Sequence, residues 1–113
     1  MSSIKIISWN VNGIRAIIKK DFLKDINEID PDIICLQETK AGDEDALKAL
    51  SVLDGYEYNV NSSKARKGYS GTAILSKKSP SKISNDIGVF DHDQEGRVIK
   101  AEFENFNLIN VYV

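Results

Sequence analysis

The chain is short of the features that mark several specialised classes of protein. Its one cysteine, Cys35, sits inside the apolar run Ile33 to Leu36. A small buried hydrophobe is expected there rather than a nucleophile or metal ligand, and a reducing compartment follows. No apolar run approaches the ~20 residues of a membrane span, and Met1-Ser2-Ser3-Ile4 lacks the basic and apolar regions of a signal peptide. The chain is therefore expected away from membranes, in the cytoplasm, or in the nucleus if the source is eukaryotic. There is no internal repeat or low-complexity segment, and no excess of positive charge. Fifteen Lys and Arg against 17 Asp and Glu give a net charge of −2, so any surface for a polyanion must be a local cluster. The densest is Lys64, Arg66 and Lys67, with Lys77 and Lys78 expected across the next strand; by composition alone these make an ordinary solvated loop.

What remains is a globular composition, 42% hydrophobic and 28% charged, with room for a single domain over residues 1–113. Ile4 to Trp9 is β-branched and apolar, and Asn10-Val11-Asn12-Gly13 is turn chemistry. From Ile14 through Ile17, Ile18, Phe22 and Ile26 to Ile29 the apolar spacing predicts one amphipathic helix, stopped at Asp30-Pro31. Ile33 to Leu36 reads as a buried central strand. Strand, helix and strand at this spacing imply a right-handed parallel unit, whose strands would release Asn10 and Glu38 at the same sheet edge, where α/β folds place ligands. A shorter helix is expected over 45–53, and strands over 56–60, 71–75, 82–87, 97–103 and 106–113.

The group of chemical interest is Asn10, Asn12 and Glu38. A carboxylate at a strand end can offer an oxygen to a hard cation such as Mg²⁺, which is usually held by one or two carboxylates with water and substrate phosphate. A surface pair between Glu38 and Lys40 is the competing reading, and on a single carboxylate it is the stronger one.

Four blocks tip this balance. Ser8-Trp9-Asn10-Val11-Asn12-Gly13-Ile14-Arg15-Ala16, then Pro31-Asp32-Ile33-Ile34-Cys35-Leu36-Gln37-Glu38-Thr39-Lys40, Gly68-Tyr69-Ser70-Gly71-Thr72-Ala73 and His92-Asp93-Gln94-Glu95-Gly96-Arg97-Val98-Ile99 stand in order, closed by Asn110-Val111-Tyr112-Val113. The chain resembles the exonuclease III / apurinic-apyrimidinic (AP) endonuclease family throughout its length. The resemblance implies a DNase I-like α/β fold, a four-layer sandwich of which this chain supplies about half. It implies that Glu38 binds Mg²⁺, with Mn²⁺ as the alternative ion, that Asn10 orients groups around metal and phosphate, and that the Tyr112 hydroxyl reaches the phosphate. Asn12 stands where some relatives carry aspartate, which makes it a further metal-side residue. Arg15, Lys40 and Tyr69 match positions that contact the DNA backbone beside an abasic site in double-stranded DNA. Arg97 is expected to be structural, in a buried ion pair, and His92 to be exposed and uninvolved.

By the same resemblance, relatives continue past Tyr112 with an Asp-x-Asn pair that positions the attacking water, a later aspartate and an Asp-His pair. An isolated chain without them is expected to be inactive, because such groups act as a unit. It is also expected to expose the face that should meet a second sheet, and so to need its missing half or to self-associate. A non-catalytic module binding DNA or a partner is the second reading, and a phosphoesterase acting on another phosphoester the third.

Overall fold

The computed structural model describes residues 3–85 and 95–112. His92 and the end of the strand expected over 82–87 lie outside the described residues. Strand β1 (Ile6–Asn10) and strand β2 (Ile33–Gln37) run parallel in a register that pairs Ile6 with Ile33 and Asn10 with Gln37. The segment between them is two helices rather than one, α1 (Ile14–Ile18) and α2 (Phe22–Ile29). Successive four-residue steps overshoot a 3.6-residue turn, so an unbroken helix would carry Phe22 and Ile26 round its axis away from Ile14. The turn at Lys19-Lys20-Asp21 resets the direction, and Ile14, Phe22 and Ile26 are all buried.

Helix α3 (Asp43–Leu50) opens with Asp43, Glu44 and Asp45, charges that suit the positive end of a helix. Strands β3 (Glu57–Asn61) and β4 (Thr72–Ser76) complete a sheet of order β1-β2-β4-β3, in which β4 is antiparallel to both neighbours. As expected, β2 is central, and Ile33 to Leu36 are buried. On one face Ile34, Leu36, Ala73 and Leu75 pack with Ile14, Phe22, Ile26, Ala46 and Leu50 of the three helices.

The opposite face corrects an expectation. It is covered, because β5 (Lys82–Ser84), β6 (Val98–Glu102) and β7 (Asn107–Val111) form a separate antiparallel sheet. Ile99 and Ala101 close on Ile33, Cys35 and Ile74, with Phe103, Phe106 and Leu108 at the margin. The expected apolar exposure has moved to the free sides of β1 and β7. Ile6 is 43% exposed and Ile109 59%. Cys35 is buried, and that burial pushes its thiol up to about 11, consistent with an inert core residue.

A second correction concerns the basic cluster. Lys77 follows β4 at the end remote from the loop that holds Lys64, Arg66 and Lys67. Five residues of strand, at ~3.3 Å each, separate the two groups. Lys77 is tied instead to Asp30, with Nζ 2.7 Å from Oδ1.

Candidate active site

The parallel pairing of β1 and β2 sends both chains out at one edge, and the backbone then knots there. Val11 N–H donates to the Gln37 carbonyl, Gly13 N–H to that of Glu38 and Ile14 N–H to that of Thr39. From the other side, Thr39 and Lys40 N–H donate to the carbonyls of Gly71 and Ser70. Four residues at this knot, Asn12, Glu38, Lys40 and Ser70, have φ between +48° and +60°. Left-handed backbone away from glycine is uncommon and collects where surrounding structure enforces it. Gly71 has φ +97°, and a Cβ added there would lie 2.1 Å from Thr39 Oγ1. Glycine is the residue that lets the β4 entry close on the turn after Glu38.

This knot delivers the Glu38 carboxylate to a set of donors. Oε1 accepts from Asn10 Nδ2 at 3.2 Å and from the Tyr112 hydroxyl at 2.9 Å. Oε2 lies 3.0 Å from Lys40 Nζ. The Lys40 ammonium also donates to Asn12 Oδ1 at 2.7 Å, and Asn10 Oδ1 accepts from Asn12 N–H at 3.0 Å. Glu38 is therefore paired with Lys40, as the competing reading has it, and it also meets Asn10. Hydrogen bonds from Lys40, then Tyr112, then Asn10 hold its carboxyl below the ordinary range, and the bond to Glu38 raises the Tyr112 phenol.

The donor set fits a hard cation in part. Among the described residues no three His, Cys, Asp or Glu side chains converge, so a metal here has one carboxylate and neutral oxygens. Glu38 Oε2 and Asn12 Oδ1 are the two oxygens aimed at a single point, now held by the Lys40 ammonium. Asn10 turns its nitrogen to Glu38 and its oxygen to the backbone, which suits an orienting group better than a direct ligand.

Residues 7–113 match the model of the Endonuclease/Exonuclease/phosphatase family. The chain belongs to that family. It is 51% identical over 111 residues to the exodeoxyribonuclease of Bacillus subtilis, covering 96% of this chain and 42% of the relative. It is 40% identical over 112 residues to the DNA-(apurinic or apyrimidinic site) endonuclease of Dictyostelium discoideum, covering 99% of this chain and 30% of that protein. The crystal structure of an AP endonuclease from Leishmania major superimposes with a TM-score of 0.81 at 30% identity, over 97% of this chain and 40% of that one. The chain thus spans less than half the length of these relatives.

The flanks of the site in this family member are also built. On one side Arg15 Nη2 donates to the Lys40 carbonyl at 3.1 Å, and Nη1 is 4.0 Å from Asp45. On the other, the Arg97 guanidinium lies 5.0 Å from the centre of the Tyr112 ring and 5.6 Å from that of Tyr69. It donates to the Tyr69 hydroxyl at 2.8 Å and pairs with Glu95 Oε1, also at 2.8 Å. Arg66 lies over the same Tyr69 ring at 5.6 Å. Arg15, Lys40, Glu38, Tyr112, Arg97, Tyr69 and Arg66 form one continuous contact chain. The expected ion pair of Arg97 is present, though partly exposed rather than buried. Its bridging of Tyr69 to Tyr112 went unread because the three residues are distant in sequence. Gln37 and Asn110 were missed as well, though an asparagine inside the apolar run Leu108 to Val111 was a visible signal.

Proposed function

We propose that this chain carries the metal- and phosphate-facing edge of a DNA repair nuclease. In its complete form that enzyme hydrolyses the phosphodiester 5′ to an abasic site in duplex DNA, with 3′-exonuclease and 3′-phosphatase side activities. The observation that carries this reading is the Glu38 carboxylate, held by Asn10 and Tyr112 at the common exit of β1 and β2. Bound Mg²⁺, or Mn²⁺, supplies neutralisation of the charge that develops on phosphate oxygens. Glu38, with Asn12 beside it, would hold the ion. Asn10 can donate to one oxygen and accept from another, and the Tyr112 hydroxyl is a donor to a phosphate oxygen. Lys40, whose ammonium now meets both Glu38 and Asn12, would be freed by ion binding to contact a phosphate oxygen. Arg15 on one flank and Tyr69, Arg66 and Arg97 on the other supply backbone contacts that position a duplex without reading its sequence.

The chain spans 42% of the Bacillus subtilis relative, which supports the reading that further polypeptide completes the catalytic set. The open sides of the two sheets are where it would dock. β1 ends one sheet and β7 ends the other, and β7 lies over β2 and β4, leaving the inner face of β1 uncovered. The exposed Ile6, Ile109 and Val111 line these free sides. The missing half, or failing that a second copy, packs there.

The test is complementation. This chain is mixed with the carboxyl-terminal remainder of the Bacillus subtilis relative and given a duplex with one abasic site. Mg²⁺-dependent incision 5′ to the lesion is expected from the mixture, negligible incision from either part, and loss on Glu38→Ala. Incision that survives Glu38→Ala would sink the proposal. Duplex binding without incision, from halves shown to associate, would favour a non-catalytic binding module instead.

A further inference from the structure

Gln37 and Asn110 take no part in the chemistry above, yet they are a polar pair between the two sheets. Alternation along β7 puts Leu108, Asn110 and Tyr112 on the side facing β2 and β4, and alternation along β2 puts Ile33, Cys35 and Gln37 opposite. Ile99, the cross-strand partner of Asn110, shows that this layer accepts an apolar side chain. Asn110 is nonetheless 3% exposed and uses both amide protons. Its Nδ2 donates to the carbonyls of Leu36 at 2.9 Å and Ala73 at 2.8 Å, which are register partners across β2 and β4. Its Oδ1 accepts from Gln37 Nε2 at 2.8 Å, and the same nitrogen donates to Ser8 Oγ at 2.9 Å. One side chain therefore joins β7 to β2 and β4, and through Gln37 to β1.

Apolar packing is non-directional and tolerates a small slide of one sheet over the other. Hydrogen bonds lengthen and bend out of range under the same slide. The residue after Gln37 is Glu38, and two residues after Asn110 comes Tyr112, whose hydroxyl meets Glu38 at 2.9 Å. We propose that Asn110 is a positioning residue: it fixes where β7 docks on β2 and β4 and so holds the Tyr112 hydroxyl on the Glu38 carboxylate. The inference rests on the reading of Glu38 and Tyr112 as the site, since elsewhere the register would matter to stability alone.

The experiment uses the intact chain in solution. Asn110→Leu keeps the branched shape, with bulkier methyl groups, and removes the three hydrogen bonds; Ile99→Ala weakens the same layer from the opposite strand without touching them. Both are studied well below their melting temperatures by NMR contacts from the Tyr112 ring to the Glu38 and Asn10 side chains, and by Mn²⁺ affinity from relaxation. Asn110→Leu is expected to lose the ring contacts and to bind Mn²⁺ about 10-fold more weakly, the scale of a lost supporting hydrogen bond around a metal ligand. Ile99→Ala is expected to melt earlier and keep both. Gln37→Met, which spares the two carbonyl bonds of Asn110, is expected to keep the fold and the ring contacts. The proposal is overturned if Asn110→Leu retains the contacts, if Ile99→Ala loses them equally, or if Asn110→Leu does not fold, which would make the role structural. If Glu38→Ala binds Mn²⁺ as well as the parent while Asn110→Leu still frees the ring, the site reading fails and the positioning stands.

Discussion

Two lysine–carboxylate pairs sit at opposite ends of the same sheet, alike in chemistry and backbone but unlike in their surroundings. Lys40 meets Glu38 at 3.0 Å where β2 ends; Lys77 meets Asp30 at 2.7 Å where β4 ends. Both carboxylates ride on left-handed backbone, with φ +60° and +50°, and both are held below the ordinary range by their lysine. By distance alone the remote pair is the better one. Yet Glu38 also accepts from Asn10 and Tyr112 and its side chain is 17% exposed, whereas that of Asp30 is 73% exposed at the end of α2. A close ion pair by itself marks nothing. Convergence of donors from separate strands onto one shielded carboxylate does, because each strand had to be placed for the purpose.

The sharpest way to break this contrast is metal binding. Glu38→Ala is expected to abolish saturable Mn²⁺ binding, and Asp30→Ala to leave it unchanged, both followed by proton relaxation. Equal effects would show that any exposed carboxylate of this chain binds the ion. The next effect is on stability and concerns the backbone beneath each region. Gly71→Ala must place a Cβ against Thr39 Oγ1 at φ +97°. The left-handed penalty adds to overpacking, together roughly 2–5 kcal/mol by denaturant titration. Gly55→Ala has φ +85° with nothing within 4 Å, and should cost only the conformational part, roughly 1–2 kcal/mol. If the two glycines cost the same, the close approach of β4 to the Glu38 turn is not what fixes Gly71.

How much of this was legible in the residues follows from the range of each contact. Asn10 and Glu38 could be brought together because a parallel unit of two apolar strands dictates a common exit. Tyr112 could not, since its contact with Glu38 spans 74 residues; only the family resemblance brought it to the site. The second sheet was misjudged because β6 alternates its buried Ile99 and Ala101 with Lys100 and Glu102. Such a pattern gives one apolar face but not what that face covers. Lys77 looked like a member of the basic cluster because sequence proximity hides the length of the strand between them. Asn110 stands out in the pattern as a polar residue inside an apolar run, but its role is intelligible only once its three partners are seen.

The smallest expected effect separates the two ion pairs by pH. A depressed carboxyl stabilises the fold above its ordinary value, 4.5 for Glu38 and 3.8 for Asp30, and loses that contribution as pH falls through the lowered value. Lys77 is raised above 10.5, mainly by its bond to Asp30. Its contribution is full below that value and is lost as pH rises through the raised one. Asp30→Asn should therefore flatten both the acid and the alkaline limbs of a melting-temperature profile. At neutral pH it should change the melting temperature little, as exposed pairs do. Glu38→Gln should also flatten the acid limb. Its alkaline change should arise at Tyr112, whose phenol is raised above 10.0 first by the bond to Glu38, and so should vanish in Tyr112→Phe. An alkaline difference that persists in Glu38→Gln with Tyr112→Phe would mean that the edge pair behaves like the remote one, and the contrast between the two ends of the sheet would be lost.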